Sequence, residues 1–347
     1  MLLQVWLIGA DILGQPQVPP KSYICSQTRE HMQIDGRLDE QAWTAAPWTD
    51  DFVDIEGTKK PLPRFRTRAK MLWDDSCFYV GAQLDEPQVW ATIMKRDSVI
   101  YHDNDFEIFI DPNSDNHEYF EFEINALNTL WDLFLPTPYR DGGHAVDAWN
   151  AEGIRTGIHV YGTLNDPSDV DHGWSVEFAI SWRGLSQYAH MPTRPHPGDQ
   201  WRVNFSRVEW HCQIAGAHQD KIPGVPEDNW VWSPIGIIDM HQPEQWGYVQ
   251  FSIGRIDTGT FVPDRTYEAR MFLYEVYCSQ RDFYKKHRYW ATALEQLAIP
   301  SFETKKQKYH PALASSPDGY VATVHIPDLS NGHCLLHVRQ DSLVWTE

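Results

Sequence analysis

The sequence predicts a mainly β protein: an antiparallel β-sandwich of jelly-roll type over residues 21–257, with a small α+β appendage over residues 258–347. Three observations carry this. Short runs with period-two alternation of apolar and polar side chains recur between turns rich in Gly, Pro, Asn and Asp. Helical periodicity is sparse before residue 258 and becomes clear only after it. Hydrophobic residues make up 42% of the 347 positions, enough for a substantial core.

In chain order, the apolar stretch Leu2, Leu3, Val5, Trp6, Leu7, Ile8, Ile12 and Leu13 runs into a Pro-rich segment ending at Pro20. It reads as the remnant of an export signal or an N-terminal extension, without a basic leading region and with Asp11 interrupting it. This favours a secreted or periplasmic protein. No later stretch approaches the roughly 20 apolar residues of a spanning helix. Residues 39–46 read as a turn or two of helix, capped by Asp39 or Asp35. Residues 65–73 and 77–84 form a hairpin about Asp74-Asp75-Ser76. Residues 105–111 and 118–126 form a second, about Pro112-Asn113-Ser114-Asp115-Asn116. Further strands are predicted at 154–164, 173–182, 200–210, 229–233 and 247–252. After residue 257, Tyr267, Met271, Tyr274, Val276, Tyr277, Phe283, Trp290, Leu294 and Leu297 mark one long helix, or two joined near His287-Arg288, ended by Pro300. Strands follow at 320–326 and 334–338, with turns at Pro317-Asp318-Gly319 and Asn331-Gly332.

The formal net charge of −19 argues against nucleic acid or an anionic membrane surface as partner. A neutral or cationic ligand suits it better. The 16 Trp and 15 Tyr fill a β core, and some can serve as stacking platforms for sugar rings. The five cysteines show no Cys-x-x-Cys spacing, which disfavours a thiolate metal site, and Cys77 lies in an apolar strand as a buried thiol.

Alternation sorts the second hairpin into faces. Phe106, Ile108, Ile110, Phe120, Phe122 and Ile124 point to the core. Asp105, Glu107, Phe109, Asp111, Tyr119, Glu121, Glu123 and Asn125 point the other way. Like charges opposite one another cost a few tenths to about 1 kcal/mol each without compensation. Arg66, Arg68 and Lys70, on one face of an earlier strand, are the expected compensation if that strand lies close in the same sheet. Gln83, Arg202 and Asn204 would then join a surface of planar hydrogen-bonding groups of the kind a pyranose needs.

Three stretches, Ile34-Asp35-Gly36-Arg37-Leu38-Asp39-Glu40-Gln41-Ala42-Trp43, Asp105-Phe106-Glu107-Ile108-Phe109-Ile110-Asp111 and Trp246-Gly247-Tyr248-Val249-Gln250-Phe251, resemble in order and spacing the family 9 carbohydrate-binding modules. The resemblance covers about residues 30–252 and implies a sandwich that binds a polysaccharide or oligosaccharide, of plant or microbial origin, without cleaving it. It implies Glu107 as a sugar-binding glutamate, Tyr101 as a stacking platform, and Glu123 and Asn125 as hydroxyl partners. Arg66, Arg68, Trp131 and Trp230 are further ligand-binding candidates. The sequence departs from the family at Glu123, where the modules have arginine. It also departs near Met240 and His241, where they have a second stacking Trp.

The resemblance also implies structural calcium, and Asp111, Asn113 and Asp115 are the candidate ligands. That loop lacks the Gly and Glu of a calcium-binding helix–loop–helix. The alternative function is a glycosidase using a pair among Glu107, Glu121 and Glu123, which needs carboxyls roughly 5–10 Å apart across a cleft. A haem domain with Met94, Met240 or histidine ligands is the weakest option, there being no Cys-x-x-Cys-His motif.

Overall fold

Alternation becomes strands throughout residues 20–262 of the computed structural model. The structure describes residues 19–186, 194–216, 218–253, 259–297, 299, 311–329 and 332–347. The chain divides into two compact units, residues 20–262 and a unit containing residues 263–347. The first carries strands β1 (Ser22–Gln27), β2 (Val53–Asp54), β3 (Thr67–Trp73), β4 (Cys77–Leu84), β5 (Asp105–Asp111), β6 (Tyr119–Asn125), β7 (Leu130–Leu135), β8 (Arg155–Tyr161), β9 (Gly173–Ser181), β10 (Gln200–Glu209), β11 (Cys212–Ala215), β12 (His218–Lys221), β13 (Asp228–Val231) and β14 (Gly247–Ser252). Helices α1 (Gln41–Ala45) and α2 (Trp182–Leu185) are short.

The main sheet runs β7-β6-β5-β10-β14-β1-β3-β4-β9-β8, with β13 and β2 branching from β10. Its two halves face each other across one core. Phe78 on β4 meets Trp201 on β10 and Phe251 on β14, with centroids 6.4 and 5.9 Å apart. Phe106 on β5 lies 6.4 Å from Phe178 on β9. Pairing is antiparallel except at β1, which runs parallel to both β14 and β3.

Both predicted hairpins are present, 67–73 with 77–84 and 105–111 with 119–125. The first turns on Asp74, whose Oδ1 accepts the amides of Ser76 and Cys77 at 2.6 and 2.8 Å. Helix α1 has Glu40, not Asp39 or Asp35, at its N-cap position, with no side-chain cap hydrogen bond. The carboxylate of Asp35 instead takes the amide of Arg37, and Glu30 Oε2 accepts the amide of Ala42.

The opening motif is an anchor for this unit. Glu177 on β9 accepts Trp43 Nε1 at 2.7 Å and the amides of Asp35 and Gly36 at 3.0 and 2.8 Å. Gly36 has φ +88°, and a Cβ there would lie 2.3 Å from the carbonyl carbon of Ile158, so only glycine fits.

In the second unit, α3 (Tyr267–His287) buries Ala269, Phe272, Leu273, Val276 and Tyr277 at helical spacing. They share a core with Tyr320, Ala322, Val324, Leu336 and Val338 of an antiparallel sheet. Its strands are β15 (Ala312–Ser316), β16 (Gly319–Leu329), β17 (Gly332–Arg339) and β18 (Val344–Thr346), in that order. The break comes at the predicted His287-Arg288 junction: Arg288 takes a left-handed conformation at φ 64°, and residues 294–297 form a 3₁₀ turn in place of a second helix. Pro300 and the signal-like residues 1–14 lie outside the described residues. All five cysteines are free, with Cys25 and Cys77 buried.

Candidate functional site

The outer face of β5, β6 and β10 floors a hollow of about 430 Å³, lined also by β7, the 3₁₀ turn at Tyr139 and the segment 238–241. Register places Glu107 directly opposite Glu123, and Ser206 of β10 opposite Glu107. Glu121 stands one pleat away, facing Phe109 on β5 and Leu133 on β7. These acids are drawn in from solvent: Glu107 is 6% exposed, Glu121 4% and Glu123 2%. Asp105, fully buried, joins them below, its Oδ1 taking the amide of Val208 at 3.1 Å.

Burial pushes the Glu107 carboxyl up to about 7, partly opposed by a hydrogen bond with Ser206. Glu121 and Glu123 are pushed further above the usual carboxylate range, by burial first and by the neighbouring acids second. Pushed up in this way, both carboxyls are favoured in their protonated form. Glu123 Oε2 also takes the amide of Tyr101 at 3.0 Å.

The walls are aromatic. Tyr101 is 40% exposed, its carbonyl held by Trp210 Nε1 at 2.9 Å. Trp131 lies across the pair from Glu123, and its buried Nε1 has no hydrogen-bond partner. On the far side His241 packs edge-on to Tyr139, with centroids 4.5 Å apart, and its Nδ1 is 2.9 Å from the Tyr119 hydroxyl. Burial holds His241 down at about 4, so its ring is neutral near pH 7.

Among the described residues, no Lys or Arg lines the hollow, whereas Glu227 and Asp239 add two more acids at its rim. The compensation expected from Arg66, Arg68 and Lys70 is not there. Three strands, β10, β14 and β1, separate β3 from β5. Arg66 pairs with Asp85, Arg68 with Gln83, and Lys70 with the carbonyl of Trp43, all on the other half of the sandwich. Arg202 shares a face with the floor, but its guanidinium is spent on the carbonyls of Trp246 and Glu244.

Of the residues singled out from the sequence, the hollow brings together Tyr101, Glu107, Glu121, Glu123 and Trp131. Asn125 lies on the same face but is fully buried. Its amide donates to Asp103 and to Ile93 O, and its oxygen accepts the amides of Leu127 and Thr129. Trp230 sits in the core against Phe65. In the loop proposed for calcium, Asp111 accepts the amides of Asn113, Ser114 and Asn116, while Asp115 accepts that of His117 and the side-chain amide of Asn113. Its carboxylates thus already have turn-forming partners. Tyr139, Glu227 and Asp239 were not foreseen because they belong to loops, and Ser206 and Asn229 because strand order, not alternation, brings their predicted strands near β5, β10 directly and β13 beyond it.

Residues 34–193 match the model of a family described as carbohydrate family 9 binding domain-like. No curated protein matches the sequence. Among solved structures, a family 9 carbohydrate-binding module from Caldicellulosiruptor kristjanssonii, in complex with cellotriose, is 18% identical. The alignment covers 70% of this chain and all of the module, at a TM-score of 0.45. The same values hold for a structure of a family 9 module from that organism with glucose. A Bacteroides uniformis protein provisionally described as carbohydrate-binding is 16% identical, over 67% of this chain and 99% of its own, at a TM-score of 0.47. Ser206 and the rim at 227–241 lie beyond the matched segment, so the hollow is built partly from that segment and partly from later strands and loops. The chain is thus similar, over residues 34–193, to the family described as carbohydrate family 9 binding domain-like.

Proposed function

We propose that this protein binds carbohydrate in the acid-floored aromatic hollow and does not cleave it. The observation that carries the reading is the convergence of Tyr101, Trp131, Glu107 and Glu123 on one cavity of about 430 Å³. Sugar hydroxyls donate to carboxylates and accept from N–H and O–H groups. The floor offers the first, and the tyrosine hydroxyls the second. Tyr101 and Trp131 supply ring faces for the apolar side of a pyranose. A hollow of about 430 Å³ suits a short oligosaccharide or a segment of a plant or microbial polysaccharide. The apolar segment 2–13 supports a secreted or periplasmic setting.

A cleaving pair must straddle the glycosidic bond, about 5–9.5 Å apart. Oxygens of Asp105, Glu107 and Glu123 instead lie within 4.8 Å of one another. They crowd one floor, which supports binding over hydrolysis.

A glycan array on the full chain, followed by a product assay on every hit, tests this. Tyr101→Ala is expected to weaken the best hit by about 1–2 kcal/mol, the value of a partly buried ring, or roughly 5–30-fold in Kd. Folding should be retained, since only the backbone of Tyr101 bonds to Glu123. An array without hits removes the reading; product released from a hit replaces binding with catalysis.

A further inference from the structure

Glu107, Glu121 and Glu123 line the floor of the hollow, Asp105 lies buried beside them, and the lining residues provide no cation to balance them. Asp105, Glu107 and Glu123 each present an oxygen within 4.8 Å of the other two. A second observation is independent of that spacing. Glu121, only 4% exposed and lining the same hollow, has an oxygen, Oε2, without a hydrogen-bond partner, and so does the fully buried Asp105 at Oδ2. A buried polar atom left without a partner costs about 1–3 kcal/mol, and more when charged. Two such oxygens beside a third and fourth carboxyl describe a site shaped for something positive.

We propose that Asp105, Glu107 and Glu123 hold a hard divalent cation, of the calcium or manganese type, at the floor of the hollow. The donor set is oxygen only and strongly anionic, which suits calcium, magnesium or manganese and disfavours zinc or copper. Calcium takes about 6–8 oxygens, more than three carboxyl groups furnish, so several positions face the hollow. Vicinal hydroxyls of a sugar fill such positions well; this step alone rests on the carbohydrate reading. Glu121 lines the same hollow, and its orphaned oxygen is the acceptor left for a hydrogen bond from a cation-bound hydroxyl or water. The site differs from the Asp111–Asp115 loop, whose carboxylates already accept amides.

The test begins with metal alone. Full-length protein stripped with EDTA is dialysed against CaCl₂ and, separately, MnCl₂. One bound equivalent is expected, together with a rise in melting temperature on adding the ion. Glu107→Gln and Asp105→Asn, each close in shape to the original, should weaken uptake by more than the roughly 10–100-fold typical of losing an outer-shell partner. Should either variant fail to fold, terbium luminescence on otherwise wild-type protein gives a second route. Trp131 faces Glu123, so Trp131→Phe should lower the sensitised emission.

No saturable uptake up to about 10 mM, beyond the range of weak extracellular calcium sites, overturns the proposal. So does equal uptake by folded Glu107→Gln, or emission unchanged by Trp131→Phe. Binding of a glucosamine oligomer by stripped protein that takes up no metal would give the acids to an ammonium group instead. If metal binds but glycans bind equally in EDTA, the hydroxyl-bridging step falls while the cation site stands. If metal binds and no glycan does, only the carbohydrate reading fails.

Discussion

Replacing Glu177 by Gln probes whether the opening sequence motif holds the sandwich together through one side chain. In the native protein the carboxylate faces three donors: Trp43 Nε1 at 2.7 Å, Asp35 N at 3.0 Å and Gly36 N at 2.8 Å. Both Trp43 and Glu177 are fully buried. Glutamine supplies one acceptor and one donor. If its oxygen keeps the two backbone amides, its NH₂ points at the indole N–H, and that buried donor loses its partner at about 1–3 kcal/mol. The bonds that remain also become neutral, at about 1 kcal/mol each rather than the 1.5–3 typical of a charged acceptor. Relief from desolvation offsets part of this, because burial raises the Glu177 carboxyl to about 7. A net loss of about 2–4 kcal/mol is expected in urea unfolding followed by tryptophan fluorescence. The sharper assay is a double-mutant cycle with Trp43→Phe. Once the indole N–H is gone, the introduced amide opposes no donor, so the pair should cost less than the sum of the singles by about 1–2 kcal/mol. An unchanged midpoint, or strictly additive losses, would refute the anchor.

Two further perturbations use charges buried elsewhere in the same unit. Arg207 is fully buried between Glu209 and Glu86, at 2.8 and 3.3 Å, so Arg207→Met leaves two buried carboxyls facing one another and should cost about 3–5 kcal/mol in the same unfolding assay; a loss below about 1 kcal/mol would contradict that. Lys70 is held down at about 8 by burial and by Arg68. The folded state therefore binds fewer protons than the unfolded chain between pH 8 and about 10.5, and stability should rise across that window. Below pH 8 the charged ammonium makes folding less favourable, by at most about 3 kcal/mol, than an unperturbed lysine would. Lys70→Met should flatten the rise, and a slope that survives the substitution would remove Lys70 as its source.

The hairpins were legible because one face of each strand is apolar and the other polar, the condition under which period two is informative. Strand β7, Leu130-Trp131-Asp132-Leu133-Phe134-Leu135, was missed for the opposite reason. It is buried on both faces except at Trp131, and its alternation is blurred. Strand β1 pairs in parallel on both sides, an arrangement without a hairpin turn to announce it. Within the site, alternation put Glu107, Glu121 and Glu123 on one face, as the structure does. Asn125 obeys the same parity, but a side chain's partners are set by loops, and here residues 93, 103, 127 and 129 claim all its bonding capacity. The loops that supply Tyr139 and His241 carry no periodicity at all.

Strand order decided the electrostatics, and strand order is what alternation cannot give. The basic face of β3 and the acidic face of β5 belong to one continuous sheet, but the sheet turns back on itself between them. Arg68 and Lys70 therefore spend their charge over the ring of Trp48, at 4.1 and 4.3 Å, on the far side of a core that includes Phe106, Phe178 and Met71. A low-dielectric layer between two charge clusters weakens screening, but the sheets of a sandwich pack about 10 Å apart, and the acids on the outer face of β5 and β6 lie further still from these cations. Their repulsion has to be met locally. Part of it is met by protonation, which burial and the neighbouring acids favour at Glu121 and Glu123. A cation held by Asp105, Glu107 and Glu123 would neutralise what remains, and it would tie the fold's topology directly to the chemistry of the hollow.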